Sequence, residues 1–189
     1  MNTTLAKNIE DHLNVMRDLG QLEPVLNEAC AKIVASIQHG GKVMLCGNGG
    51  SAADAQHIAA EFTGRFIKDR PPIAAVALST DSSALTCIGN DYSFDDVFIR
   101  QLQALGRTGD CLIGISTSGN SRNVIKAVEH ARANGILTIG LLGRDGGKLG
   151  PLCDLSITVK SDVTARIQEC HILLAHTICG IVEESLGLV

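Results

Sequence analysis

Five short apolar runs constrain this chain more than any other feature. They are KVMLC (42–46), IAAVAL (73–78), CLIGIS (111–116), ILTIGLL (136–142) and LSITV (155–159). Each is too short for a buried helix and is unbroken by charge once under way, as strands covered on both faces are. Between them lie helical patterns near 51–63, 82–88, 95–105, 121–133 and, shorter, 146–150. Strand–helix alternation with compact connections gives an α/β fold with a five-stranded parallel sheet.

Helical segments flank this core. Leu5, Ile9, Leu13 and Met16 form one stripe, and Leu22, Val25, Leu26, Ala29, Ile33, Val34 and Ile37 a second. Gly20 and Pro24 separate them, and His39-Gly40-Gly41 ends the second helix. A long helix over 164–187 is apolar almost all round, as expected of a helix buried on several sides. The division expected is one domain over 1–189: a helical extension (1–40), an α/β core (41–163) and a C-terminal helix (164–189). The helices form a layer that packs against other subunits.

Composition narrows the function. The chain has 189 residues, 45% of them hydrophobic, enough for a full core. A net charge of −4 argues against a nucleic-acid backbone as partner, and 3% aromatics with no Trp argue against a base-stacking platform. The cysteines are Cys30, Cys46, Cys87, Cys111, Cys153, Cys170 and Cys179, an odd number without a C-x-x-C pair. They read as reduced, buried small hydrophobes of a cytoplasmic protein. MNTTLAKNIEDHLN carries acids and no apolar centre, unlike a signal peptide, and no apolar run is as long as a membrane span.

Two strand ends carry chemistry. Gly47-Asn48-Gly49-Gly50-Ser51 follows the first run, and Ser116-Thr117-Ser118-Gly119-Asn120-Ser121 ends the third. Both lead into helices, whose first N–H groups are unpaired and lie at the positive end of the dipole. One hydroxyl there is an ordinary N-cap, but four in six residues make a phosphate cradle without a lysine. The G-x-G-x-x-A of the first loop matches a dinucleotide fingerprint only in part. The ribose-binding acid belongs roughly 20 residues on, and the nearest candidate, Asp81, comes too late. No P-loop pattern is present.

His57 and Glu61 lie four apart on the helix behind the first loop and share a face. Spacing leaves two readings, a pair of metal ligands or a hydrogen-bonded surface pair. The C-terminal helix carries Gln168, Glu169, His171 and His176, polar groups that need partners in so apolar a segment. Spacing does not choose between the two histidines. Asn90 and Asp91 in CIGNDYSFDD are either substrate contacts or turn residues, and His12, His39 and His130 read as surface.

Together, GGKVMLCGNGGSAADAQHIAAEFTGRF, CIGNDYSF, GISTSGNSRNVIKA and TARIQECHILLAH resemble the phosphoheptose isomerase family of the sugar-isomerase (SIS) domain superfamily. The resemblance covers nearly the whole chain and is weakest over 1–40. It implies a flavodoxin-like three-layer fold and a cytoplasmic homotetramer with active sites at subunit interfaces. The expected activity converts sedoheptulose 7-phosphate to D-glycero-D-manno-heptose 7-phosphate, the first step toward nucleotide-activated heptose for lipopolysaccharide core or other surface glycans. By resemblance, Ser116, Thr117, Ser118 and Ser121 hold the phosphate. Asn48, Gly49, Gly50, Ser51, Glu61, Asn90, Asp91 and Gln168 contact substrate. One Zn2+ per subunit sits on His57, Glu61, Gln168 and His176. Glu61 and His176 are the expected acid–base pair.

Some members carry Asp before the Arg of R-I-Q-E; here that residue is Ala165, so no role of that Asp carries over. A non-catalytic relative, the DnaA-binding replication initiator-associating protein, is similar to this chain too. It lacks the acid and the second histidine that stand here as Glu61 and His176, which favours the enzyme.

Overall fold

The computed structural model describes residues 4–189; the first three residues of the expected helical extension lie outside that range. Helix α1 (Leu5–Met16) and a 3-10 turn (Leu19–Leu22) precede α2 (Glu23–Gln38). The core follows as β1 (Val43–Gly47), α3 (Gly50–Thr63), β2 (Ala75–Ala77), α4 (Ser82–Asp91), α5 (Val97–Leu105), β3 (Cys111–Ser116), α6 (Arg122–Ala133), β4 (Leu137–Gly143) and β5 (Leu155–Val159). The last element is α7 (Thr164–Ser185).

The sheet is wholly parallel, in the order β2-β1-β3-β4-β5. Alternate residues of each strand feed opposite layers. Val43, Leu45, Ile113, Ile115, Ile139 and Leu141 pack with α2, α3 and α7. Met44, Cys46, Leu112 and Leu142 pack with α4, α5 and α6. This is the flavodoxin-like three-layer α/β arrangement expected.

Two local expectations are corrected. The edge strand β2 spans only Ala75–Ala77, not 73–78, because the Ile73 N–H is bonded to the Phe62 carbonyl of α3 at 3.0 Å. Residues 146–150 form successive turns, not a helix. Gly146 and Gly147 have φ of +87° and +52°, in the left-handed region that no α-helix uses. That path lets the turn press on the 116–121 loop: a Cβ on Gly147 would meet the carbonyls of Ser118 and Gly119 at 2.7 Å.

The helical flanks also differ in detail. Cys87 is exposed on α4 and Cys153 half-buried, while the other five cysteines are buried and all seven are free. Burial pushes the Cys46 thiol up to about 12. Helix α1 buries none of its residues, and its Leu5 is 75% exposed. Polar contacts tie it to α7: the Arg166 guanidinium donates to the Asn8 carbonyl at 2.7 Å, and His12 Nδ1 lies 2.7 Å from a Glu169 carboxylate oxygen. Helix α7 buries one face, not several, and leaves Leu173 exposed.

An ion pair inside the protein joins α3 to α7. Arg70 Nε donates to Glu183 Oε1 at 2.6 Å, and both side chains are 1% exposed. The same guanidinium donates to the carbonyls of Glu61 (2.7 Å) and Phe62 (2.8 Å), which α3 leaves unpaired at its C-terminus. Removing one partner of such a pair strands a buried charge, at a cost of about 3–5 kcal/mol. Glu183→Ala is therefore expected to lose that much stability in denaturant unfolding; a loss below about 1 kcal/mol would refute the clamp.

Candidate active site

The chain winds from β1 outward to β2, then returns to lay β3 on the other side of β1. That reversal opens a crevice at the carboxyl ends of β1 and β3. Gly47 pairs in register with Ile115, so the glycine loop and the hydroxyl loop leave neighbouring strands at the same height.

In the hydroxyl loop, Ser116 is buried and its Oγ lies 3.0 Å from Ser121 Oγ. Thr117, Ser118 and Ser121 are half-buried. Ser121 is the N-cap residue of α6, yet its hydroxyl caps no backbone N–H. The simple capping reading thus does not account for it. The loop is braced from behind: the Leu149 N–H donates to the Gly119 carbonyl at 3.0 Å, and the Lys148 N–H to Asn120 Oδ1 at 3.2 Å.

The glycine loop is tied to α6 through side-chain amides. Asn48 Nδ2 donates to Asn123 Oδ1 at 2.9 Å, and Asn123 Nδ2 donates back to Asn48 Oδ1 at 2.8 Å. Ser51 is buried in the first turn of α3, while Gly49 and Gly50 are exposed. Gln168 of α7 packs its carboxamide on Gly50, where a Cβ would lie 2.8 Å from Cδ of that side chain. Only glycine admits that approach.

Further along the α3–α7 seam, His57, Glu61 and His176 converge, with one donor atom of each within 4.8 Å of the others. His57 Nε2 is 3.0 Å from Glu61 Oε1 and 3.4 Å from His176 Nε2. Phe66 stacks on the His176 ring at 5.3 Å between centroids. Two nitrogens bound at 2.0–2.1 Å to a tetrahedral zinc stand about 3.4 Å apart, so these three side chains fit such an ion. Asp54 stands one turn before His57, and its Oδ2 is buried without a hydrogen-bond partner. Burial raises its pKa, and the two histidines pull the other way. An orphaned carboxylate oxygen beside the cluster suits a cationic occupant.

The remaining expected residues lie elsewhere. His171 faces the core: its Nε2–H donates to the Leu142 carbonyl at 2.9 Å. Of the two histidines that spacing left open, only His176 meets His57. Gln168 lies two turns nearer the glycine loop than His176, about 12 Å along the helix axis. Asn90 and Asp91 are exposed at the end of α4, in the other layer. Asn90 Nδ2 donates to Asp91 Oδ1 at 2.8 Å, and Cys87 Sγ lies 3.4 Å from Asp91 Oδ2. Sequence reasoning missed Asn123, Asp54, Phe66 and Arg70, none of which stands out by spacing or periodicity.

Two outcomes follow from this geometry. Burial holds His171 below its ordinary pKa of 6.5, against the smaller effect of its bond to Leu142. The unfolded chain takes up a proton near 6.5 that the folded chain refuses, so stability present above 6.5 is lost as pH falls toward the folded-state value. Wild-type stability should drop more between pH 7.5 and 5.5 than that of His171→Gln; equal slopes in paired unfolding curves would refute this. Gly50→Ala should displace only the flexible end of Gln168. It should leave the unfolding midpoint within a few degrees and lower turnover at least tenfold, and unchanged turnover would show that the Gln168 position is immaterial.

The SIS domain family model matches residues 7–143. The phosphoheptose isomerase of Rhodospirillum rubrum is 54% identical over 168 residues, 89% of each chain. That of Aliarcobacter butzleri is 51% identical over 188 residues, covering 99% of this chain and 100% of its own. Among solved structures, the phosphoheptose isomerase of Neisseria gonorrhoeae superposes with a TM-score of 0.90 at 47% identity, over 95% of this chain and 97% of its own. The enzyme of Francisella tularensis gives 0.92 at 36% identity, over 95% and 96%. With a family model spanning most of the chain and full-length relatives near half identity, the protein belongs to the SIS domain family, among its phosphoheptose isomerases.

Proposed function

We propose that this protein interconverts sedoheptulose 7-phosphate and D-glycero-D-manno-heptose 7-phosphate. The observation that carries the reading is the convergence of His57, Glu61 and His176 on the seam between α3 and α7. The helix that supplies His57 and Glu61 begins at the glycine loop, beside the hydroxyl loop. One end of this arrangement suits a phosphate and the other suits proton transfer. The choice of a seven-carbon sugar rests on the named relatives.

In the reaction, Glu61 takes a proton from C1 of the ketose while His176 gives one to the C2 oxygen. Glu61 then returns its proton to C2 of the enediol while the C1 oxygen releases one to His176, giving the aldose and restoring both groups. Ser116, Thr117, Ser118 and Ser121 grip the phosphate away from the reacting carbons, which holds the chain in register. Asn48, Gly49, Gly50 and Ser51 line the sugar. Zn2+ held by His57, Glu61 and His176 would supply Lewis-acid polarisation of the C1 and C2 oxygens, and Gln168 would have to leave Gly50 to serve as its fourth donor.

Asn90 and Asp91 would reach this site from a second copy, consistent with a homotetramer whose active sites lie at interfaces. The exposed apolar stripe of α1 and the exposed Leu173 of α7 suit such contacts. Among the described residues no helix is long and apolar enough to cross a membrane. A cytoplasmic sugar-phosphate enzyme is the reading that fits these features.

The test is an isomerase assay on sedoheptulose 7-phosphate with and without added zinc. Glu61→Gln should keep fold and assembly but lose on the order of 10³-fold in kcat, as expected when a general base is removed. Near-normal turnover in that variant would sink the assignment. Elemental analysis should find one zinc per subunit, and chelation should abolish turnover; a metal-free, chelator-insensitive active enzyme would rule the metal out.

A further inference from the structure

We propose that Asn123 is a positioning residue that couples the hydroxyl loop to the glycine loop by fixing the side-chain amide of Asn48. The inference rests on the isomerase reading above for its consequence, though not for its geometry. Asn123 is the second residue of α6 and is 3% exposed. It sits directly behind the hydroxyl loop, while Asn48 is the first residue beyond β1. The two amides exchange hydrogen bonds in both directions, at 2.9 and 2.8 Å.

A third bond sets the orientation of the pair. Asn123 Oδ1 accepts the Val124 N–H at 3.0 Å. A backbone N–H only donates, so the oxygen of Asn123 must be on that side. Its NH₂ group then faces Asn48, and Asn48 must present its oxygen there and its nitrogen to Asn123 Oδ1. Both amide flips are thereby decided by the start of α6. A side-chain amide has two N–H donors and two acceptor lone pairs. The pair uses one donor and one lone pair of Asn48, leaving one of each for the sugar in a direction α6 dictates.

The same bond bears on the phosphate end. Because Asn123 Oδ1 already occupies the Val124 N–H, Ser121 Oγ is not drawn into capping it. The N-cap hydroxyl is instead hydrogen-bonded to Ser116 Oγ. One buried amide thus leaves that hydroxyl pair out of the helix cap at one loop and aims a donor and an acceptor at the other. Without it, the glycine loop would keep its backbone bonds from Ser51 to Asn48 and from Ala52 to Gly49 but lose its side-chain tie to α6. Remote phosphate binding is useful for catalysis only if the reacting end is held relative to it.

The test uses the whole chain with Asn123→Leu, which keeps the branched skeleton and removes the bonds, alongside Asn48→Leu and the double variant. Asn123→Leu should lower kcat on sedoheptulose 7-phosphate at least tenfold while KM stays within about threefold. Asn48→Leu should show a similar loss, and the double variant should be no worse than the poorer single one. Losses that multiply in the double variant would overturn the coupling, as would a kcat within twofold of wild type. Hydrogen exchange provides an arm independent of turnover. Amides of 48–51 should exchange faster in Asn123→Leu, and unchanged exchange there would refute the proposal. Asn123→Asp retains the bond to Val124 N–H and places an oxygen against Asn48 Oδ1; if the leucine variant does not fold, the same outcomes are read from it. Should wild type itself fail to turn over, the isomerase reading falls and the exchange arm alone decides whether Asn123 holds the loop.

Discussion

Parallel pairing of β1 with β3 sets the position of every group discussed above. Because β2 lies on the far side of β1, the two strands that carry the chemical loops are adjacent. Their register puts Gly47 beside Ile115, so both loops emerge at one height. A parallel sheet sends all its carboxyl ends to the same edge, and the reversal of winding keeps the crossover connections out of the gap between these two. The Asn48–Asn123 exchange depends on that adjacency, as does the reach of α6 toward the glycine loop.

A second constraint acts along the seam of α3 and α7. The two helices are held near the glycine loop by Gln168 against Gly50, and at the other end by the buried Arg70–Glu183 pair. Between these anchors lie His57, Glu61 and His176. Three side chains on two helices keep a donor geometry only if the helices cannot slide, since a shift of one residue moves a side chain by about 1.5 Å and turns it by about 100°. The Arg70 bond to the Glu61 carbonyl is one such restraint, applied to the backbone of the residue assigned as base. The fixed seam and the tied loops together hold the converging side chains in place. The apolar stripe of α1 stays exposed.

Much of this was readable beforehand because its signals are local. The apolar runs at 111–116 and 155–159 became β3 and β5 without change, and α3 and α6 began within a residue of their expected starts. The errors occurred where a distant segment overrode local preference. The 146–150 segment turns because it must lie against the hydroxyl loop. The β2 run is shortened because an α3 carbonyl takes one of its N–H groups. In the site, the hydroxyls of 116–121 and the His57–Glu61 pair carried a sequence signal, since both lie within single elements. Asn123 and Asp54 carried none: one is a single amide in a helix start, the other a lone acid in an apolar turn.

The sequence by itself determined the sheet, the sites of the two loops and the family to which the motifs point. These depend on spacings of a few residues, which chain geometry converts directly into faces and turns. Spacing left His171 and His176 open, the family resemblance pointed to His176, and the structure brings His176 to His57 while His171 bonds the Leu142 carbonyl. Only the tertiary structure decided that Gln168 lies against Gly50 and that Asn123 faces Asn48. Those outcomes depend on how α7 is rotated against α3 and how α6 is set beside β1. Rotation and offset between elements far apart in sequence follow from packing the whole core at once, and no short stretch of residues encodes them.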